Sequence, residues 1–262
     1  MMIITSKENA VVKQAHKLAT TAKTRKKEQA FIAEGLRLCR DVAQGDGVIR
    51  TAFMTQGFLT DFPQDATLIG QRAEHCFTVS DSIMQHLSDT DSPQGVLCVC
   101  QKPDFSKLPQ QAGRFVVLEK VADPANLGAI ARTAEALGAD GLLVSGGCEV
   151  YHPKALRASM GALLRLPVYE GDMEAILTRL GELGVTTYAA VVYDAQQAVT
   201  ETQFGSACAV VIGNEANGIT PQTASACDKT ITIPMAGRSE SLNAAAAACI
   251  LIWEMMGRGA ER

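Results

Sequence analysis

Apolar positions along the chain follow two periods, and where each holds decides what the chain builds. Asn9 to Ala19 reads as a helix, followed by the basic stretch TTAKTRKKEQA. EGLRLCRDVAQG places Leu36, Cys39, Val42 and Ala43 on one helical face, with Gly45 as its stop. IRTAFMT, ATLIG and HCFTVS are short strand patterns, SDSIMQHLSD is helical, and GVLCVC closes the region as a buried strand. QKPDFSKLPQQAG then brings two prolines, mixed charge and no clean period, as a linker does. The pattern predicts a small α/β region over residues 1–100, a linker over 101–113 and a second region over 114–262.

The second region alternates more plainly. FVVLE, GLLVSG, TTYAAVVY, ACAVVIG and KTITIPM are strand patterns. Between them, helices are predicted over 126–137, 153–164 and 173–183, with a closing helix over 241–256. Strands alternating with helices predict an α/β fold with a mostly parallel sheet flanked by helices on both faces.

Composition adds exclusions. Hydrophobic residues at 47% and charged residues at 20% suit a globular chain. No apolar run reaches bilayer length; the best, Ala244 to Trp253, ends at Glu254. With no secretory signal in MMIITSKENA, a location in the cytoplasm or an organelle matrix, cytoplasmic by preference and without membrane contact, is expected. The eight cysteines are scattered, and Cys98-Val-Cys100 has no second cluster, so small buried thiols are expected and no metal site. The net charge of -4 argues against a nucleic-acid partner until its distribution is read. Residues 1–40 carry nine Lys/Arg against three Asp/Glu, a balance of +6 that leaves -10 for the remainder. Lys13, Lys17, Lys23, Arg25, Lys26 and Lys27 form a local patch that either contacts phosphates or is a solvated face.

Candidate chemistry concentrates in three segments. In EKVADPANLGAIARTAEALG a strand ends, the chain turns, and a helix begins near Asn126, with Gly128 allowing close backbone approach and Arg132 in the next turns. Asn126 is either a cap or a functional amide, and Arg132 either solvated or functional. In VVIGNEANGITPQT a strand runs into Gly213-Asn214-Glu215, with Gly218 before a short helix, at the sheet end where open α/β folds bind ligands. In ITIPMAGRSESLNAAAAACILIWEM, Ser241 is placed to cap a helix whose Ala244–Ala248 run permits close packing. Neither G-x-G-x-x-G nor G-x-x-x-x-G-K-[ST] occurs, which argues against a nicotinamide oxidoreductase or a phosphate-loop enzyme.

Together the three segments resemble the signature motifs of the SpoU/TrmH family within the SPOUT methyltransferases. Asn126-Leu127-Gly128 with Arg132 matches the first, Ile212-Gly213-Asn214-Glu215 with Gly218 the second, and Ile233-Pro234-Met235 with Ser241-Leu242-Asn243 the third. Residues 3–42 resemble the RNA-substrate-binding domain, similar to a ribosomal protein, that precedes many family members. The resemblance implies a trefoil-knotted catalytic domain, a homodimer and 2'-O-ribose methylation of RNA with S-adenosyl-L-methionine as cofactor. Ribosomal RNA is the implied substrate, with transfer RNA or a non-catalytic ribosome-assembly role as alternatives. It implies Arg132 at the acceptor ribose, as base or as orienter, and Asn126, Glu215, Ser241 and Asn243 in the surrounding shell. Ile212, Gly213, Asn214, Gly218, Ile233, Met235 and Leu242 would hold the cofactor. Met160 is one departure, where family members commonly carry a smaller residue.

Overall fold

The computed structural model describes residues 2–104, 107–193, 195–238 and 241–257. Two compact units emerge: Met1–Pro103 with Tyr151–Leu164, and Asp104–Val150 with Arg165–Arg262.

Along the chain the first unit holds β1 (Met2–Ile4), α1 (Ala10–Thr20), α2 (Ala22–Glu28), β2 (Ala30–Glu34), α3 (Leu36–Gln44) and β3 (Ile49–Thr55). There follow α4 (Gln56–Asp61), α5 (Pro63–Arg72), β4 (Ala73–Val79), α6 (Asp81–Leu87) and β5 (Val96–Gln101). The five strands form a mixed sheet, β1-β4-β3-β5-β2. Helix α1 forms because Val12, Ala15 and Leu18 recur on one face that buries, and because the Asn9 side chain accepts the Val11 N–H. Two expectations change. ATLIG lies in α5, not a strand: Pro63 opens the helix, and Ala66 and Ile69, three apart, are its buried residues. On α3 the buried face is Leu38, Cys39, Val42 and Ala43, so Leu36 gives its place to Leu38.

The basic stretch becomes α2, and it is not uniformly solvated. Lys17, Lys23, Lys26 and Lys27 are exposed. Lys13 is exposed and ion-paired with Glu8. Arg25 is only 2% exposed. Its Nη1 donates to the Leu18 carbonyl at 2.7 Å and the Ala19 carbonyl at 3.1 Å. A buried cation satisfying carbonyls at the end of α1 is a structural clamp, so Arg25 leaves the set of candidate phosphate contacts.

The second unit begins with β6 (Arg114–Glu119), α7 (Pro124–Leu137) and β7 (Gly141–Ser145). The chain then departs: α8 (Pro153–Ser159) and α9 (Ala162–Arg165) lie almost wholly in the first unit. There Tyr151 packs on Phe31, ring centroids 4.7 Å apart, and Arg157 binds Asp89 at 2.7 Å and approaches Glu34 at 3.8 Å. The single helix expected over 153–164 is thus two, broken at Met160 and Gly161, both with positive φ. Met160 is the left-handed cap that ends α8. The chain returns through β8 (Val168–Glu170), α10 (Met173–Glu182), β9 (Thr186–Ala190), β10 (Gln197–Ala198), β11 (Cys208–Ile212), α11 (Pro221–Ala226), β12 (Lys229–Thr232) and α12 (Ala244–Met255).

Seven strands, every neighbouring pair parallel, make the second sheet in the order β10-β12-β9-β11-β6-β7-β8. Central strands such as β11 and β7 are buried along their whole length, as the unbroken apolar runs require. From β6 the chain winds one way to β7 and β8, whereas β9, β11 and β12 lie on the other side. That reversal leaves a crevice beyond the carboxyl ends of β6 and β11. Among the described residues, no helix is long and apolar enough to cross a membrane.

Candidate active site

The crevice is built by two loops pinned to each other. One follows β6, residues 119–123, and the other follows β11, residues 213–220. Glu119, buried at the end of β6, accepts hydrogen bonds from the Thr220 N–H and Oγ1, both at 2.8 Å, and from Thr223 Oγ1 at 2.7 Å. The Asn214 amide donates to the Lys120 carbonyl at 2.9 Å. Glu215 accepts from the N–H groups of Ala122 (3.0 Å) and Asp123 (3.1 Å) and from Asn126 Nδ2 (2.8 Å). Local sequence explains the loop after β11. Asn214 and Gly218 exchange two backbone hydrogen bonds, and Gly218 takes φ +66°, cheap for glycine. Gly213 sits so close to this return that a Cβ would lie 2.1 Å from the Gly218 backbone.

Asn126 is 9% exposed and does not cap α7; Asp123 does, its carboxylate accepting the Ala125 N–H. The Asn126 side chain instead joins two other segments. It donates to Glu215 and accepts from Asn243 Nδ2 at 3.1 Å. Asn243, not Ser241, caps α12, its Oδ1 accepting the N–H groups of Ala245 and Ala246. One residue from each of the three segments therefore closes a single chain: Glu215–Asn126–Asn243.

Electrostatics follow from that wiring. Desolvation pushes the Glu215 carboxyl up, but hydrogen bonds from Ala122, the Asn126 side chain and Asp123 outweigh it and hold the group below its ordinary value. A carboxylate so supplied with donors, at the N-terminal end of α7, is a poor proton acceptor and a good fastener. Cys148, near the same loops, is pushed up to about 11 by burial, with the charges of Glu215, Asp123 and Glu149 adding to it.

Beside the chain lies a cavity of about 470 Å3. Ile212, Gly213, Asn214, Glu215, Gly218, Ile233, Met235, Ser241 and Leu242 all line it. Asn126 and Asn243 are not part of that lining. Arg132 does not line it: it is exposed on α7, six residues past Asn126, and makes no hydrogen bond or ion pair among the described residues. Residues that the sequence pattern missed are Glu119, Thr220 and Thr223, which pin the loops, and Val192 and Tyr193, which line the cavity. Glu119 did carry a signal, a carboxylate closing an apolar strand; its partners a hundred residues on carried none.

Comparison with known proteins agrees with this geometry. The SpoU rRNA Methylase family model matches residues 113–253, and an MRM3-like substrate binding domain matches residues 9–98. The chain is 28% identical over 258 residues to the 23S rRNA (guanosine(2553)-2'-O)-methyltransferase RlmP of Bacillus subtilis, covering 98% of this chain and 100% of that protein. It is 32% identical over 192 residues to the 23S rRNA (uridine(2479)-2'-O)-methyltransferase of Streptomyces viridochromogenes, covering 70% and 67%. Among solved structures, the AdoMet-bound rRNA methyltransferase of Sinorhizobium meliloti superposes with a TM-score of 0.88 at 27% identity, covering 99% of this chain and 98% of that one. With three motif segments wired into one site and a family model spanning more than half its length, the chain belongs to the SpoU rRNA methylase family.

Proposed function

We propose that this protein methylates ribose 2'-hydroxyls of ribosomal RNA, using S-adenosyl-L-methionine. The observation that carries the reading is the Glu215–Asn126–Asn243 chain, which brings three sequence-distant motif segments to one cavity at the carboxyl end of a parallel sheet. The cavity fits the cofactor. Its volume lies in the range of small-molecule sites, its walls mix apolar side chains with peptide groups, and the loop after β11 is already folded.

When bound, the cofactor supplies a methyl group activated by its positive sulfur, so the protein has to orient rather than activate. Backbone groups around Ile212–Gly213, Ile233–Met235 and Leu242 hold the adenosine portion, and Asn214 and Gly218 keep their loop in shape. Ser241 stands at the rim. Arg132 offers a planar fork of donors, so its part is to fix the phosphate and 2'-hydroxyl of the acceptor while the hydroxyl proton leaves to water.

The position of Arg132 fits a homodimer. On α12, Ala246, Cys249, Ile250 and Trp253 are exposed and recur at helical spacing, an apolar stripe. α12 packs against α7; Arg132 does not line its own cavity, and in the dimer proposed here it serves the partner's. In the first unit, Lys13, Lys17, Lys23, Lys26 and Lys27 supply a basic face for the RNA. A cytoplasmic location is part of the same reading.

The test is methyl transfer to deproteinised ribosomal RNA and to ribosomal subunits, with mass mapping of the modified nucleotide. Arg132→Ala lowers single-turnover rate by roughly 10²–10⁴-fold while cofactor affinity stays. Mixing Arg132→Ala with a cofactor-blocked Leu242→Arg variant restores part of the activity, because a mixed dimer holds one complete site. Cofactor-independent RNA binding with no methyl transfer would instead establish a non-catalytic assembly factor, and transfer only to transfer RNA would overturn the substrate.

A further inference from the structure

Three non-glycine residues have positive φ: Gln29, Lys120 and Met160. Gln29 and Met160 end helices, where a left-handed residue is ordinary. Lys120, at φ +53°, ends no helix. It follows β6 at the mouth of the crevice, in a conformation that glycine adopts without steric cost and lysine does not.

The backbone there is fixed from both sides. The Lys120 N–H donates to the Ser145 carbonyl on β7, and its carbonyl accepts the Asn214 amide, each at 2.9 Å. Glu119 immediately before it is held by Thr220 and Thr223, and Ala122 and Asp123 after it are held by Glu215. All of these contacts to residue 120 use its main chain, so glycine would satisfy every one. The side chain adds nothing to the fold: it is exposed, and its ammonium makes no hydrogen bond or ion pair among the described residues. Its stem passes over Gly146, where an added Cβ would lie 3.5 Å from Lys120 Cγ. A strained residue whose side chain does no structural work, held by a loop that over-determines it, points to a function for that side chain.

The surroundings say which function. Asp123, Glu149 and Glu215 gather at these loops, and their charges are felt at Cys148. A polyanionic substrate approaching the crevice is repelled by them, and an unpaired cation presented at the same edge offsets that repulsion. We propose that Lys120 is a substrate-contact residue that binds a phosphodiester of the RNA beside the acceptor ribose. This rests on the RNA methylation reading above.

Lys120→Gly separates fold from function. Relief of the left-handed strain leaves its melting temperature equal to or above that of the wild type. Its affinity for RNA falls about tenfold, and the logarithmic salt slope of binding shrinks by roughly 0.7–0.9, the loss of one phosphate contact. KM for RNA rises in step, kcat at saturating RNA is nearly kept, and calorimetric affinity for S-adenosylhomocysteine does not move. Lys120→Gln, which keeps the stem and removes the charge, shows the same loss in RNA binding. If both variants bind RNA with wild-type affinity and salt slope, Lys120 is no substrate contact. If the wild type neither binds nor methylates RNA, the functional reading fails and this proposal with it, an outcome visible before any variant is made.

Discussion

Glu215 shows how a residue's partners decide its work. In a sequence it is one more carboxylate after a strand; in the fold it receives hydrogen bonds from two backbone amides and the Asn126 side chain. Its lowered pKa fixes the sign of a test. Because folding favours the ionised form, the stabilisation is present above the unfolded value near 4.5 and is lost as pH falls through the lower folded value. Parallel denaturation of wild type and Glu215→Gln across this range should give a gap that is widest near neutrality and narrows in acid. A gap independent of pH would mean that the charge has no part in fastening the two loops. Asn126 and Arg25 teach the same lesson in reverse. Helix-start position argued for a cap at Asn126, and a run of cations argued for exposure at Arg25. Periodicity and composition report where a residue lies along an element, not which distant group meets it.

At the scale of elements, legibility follows continuity. FVVLE, GLLVSG and ACAVVIG are strands buried on both faces, so an unbroken apolar run has one reading once Gly and polar residues bound it. ATLIG is bounded as well, by Gln64-Asp65 before it, but it is short and interrupted by Thr67. Its fate as α5 was decided by Pro63 and by neighbours that bury Ala66 and Ile69 three apart. Helix α12 is apolar nearly all round, which hides its two faces from any pattern of period 3.6. Only the structure separates Ala248, Leu251, Ile252 and Met255, which bury, from Ile250 and Trp253, which do not. Trp253 is the chain's single tryptophan, so its emission reads this face directly. If the chain dimerises through this face as proposed, the emission should shift to the blue with rising protein concentration, and sedimentation should give a dimer at micromolar protein. Trp253→Asp should yield monomers with an undiminished melt, since the side chain is 44% exposed within one chain. A Trp253→Asp variant that remains dimeric would move the interface elsewhere.

For the whole molecule, the order of the chain and the division into units disagree. The sequence suggests a boundary in the linker after residue 100, on the strength of its prolines. The excursion of Tyr151–Leu164 into the first unit is not legible there, because its helical pattern continues the alternation of the second. Its consequence can be measured with fragments. Residues 1–103 alone lose the Tyr151–Phe31 contact and the Arg157 ion pairs, so they should melt well below the full chain, and a peptide of residues 151–164 should raise that melt. A fragment as stable as the intact first unit would show the excursion to be ornamental. The same feature bears on descent. A unit that ends where the linker begins can be gained, lost or traded by one crossover between genes. Here the first unit draws a helix from within the second, so a donor of residues 1–103 needs a recipient whose loop after β7 already carries a matching α8. Inheritance of the two units as a pair is written into that one loop.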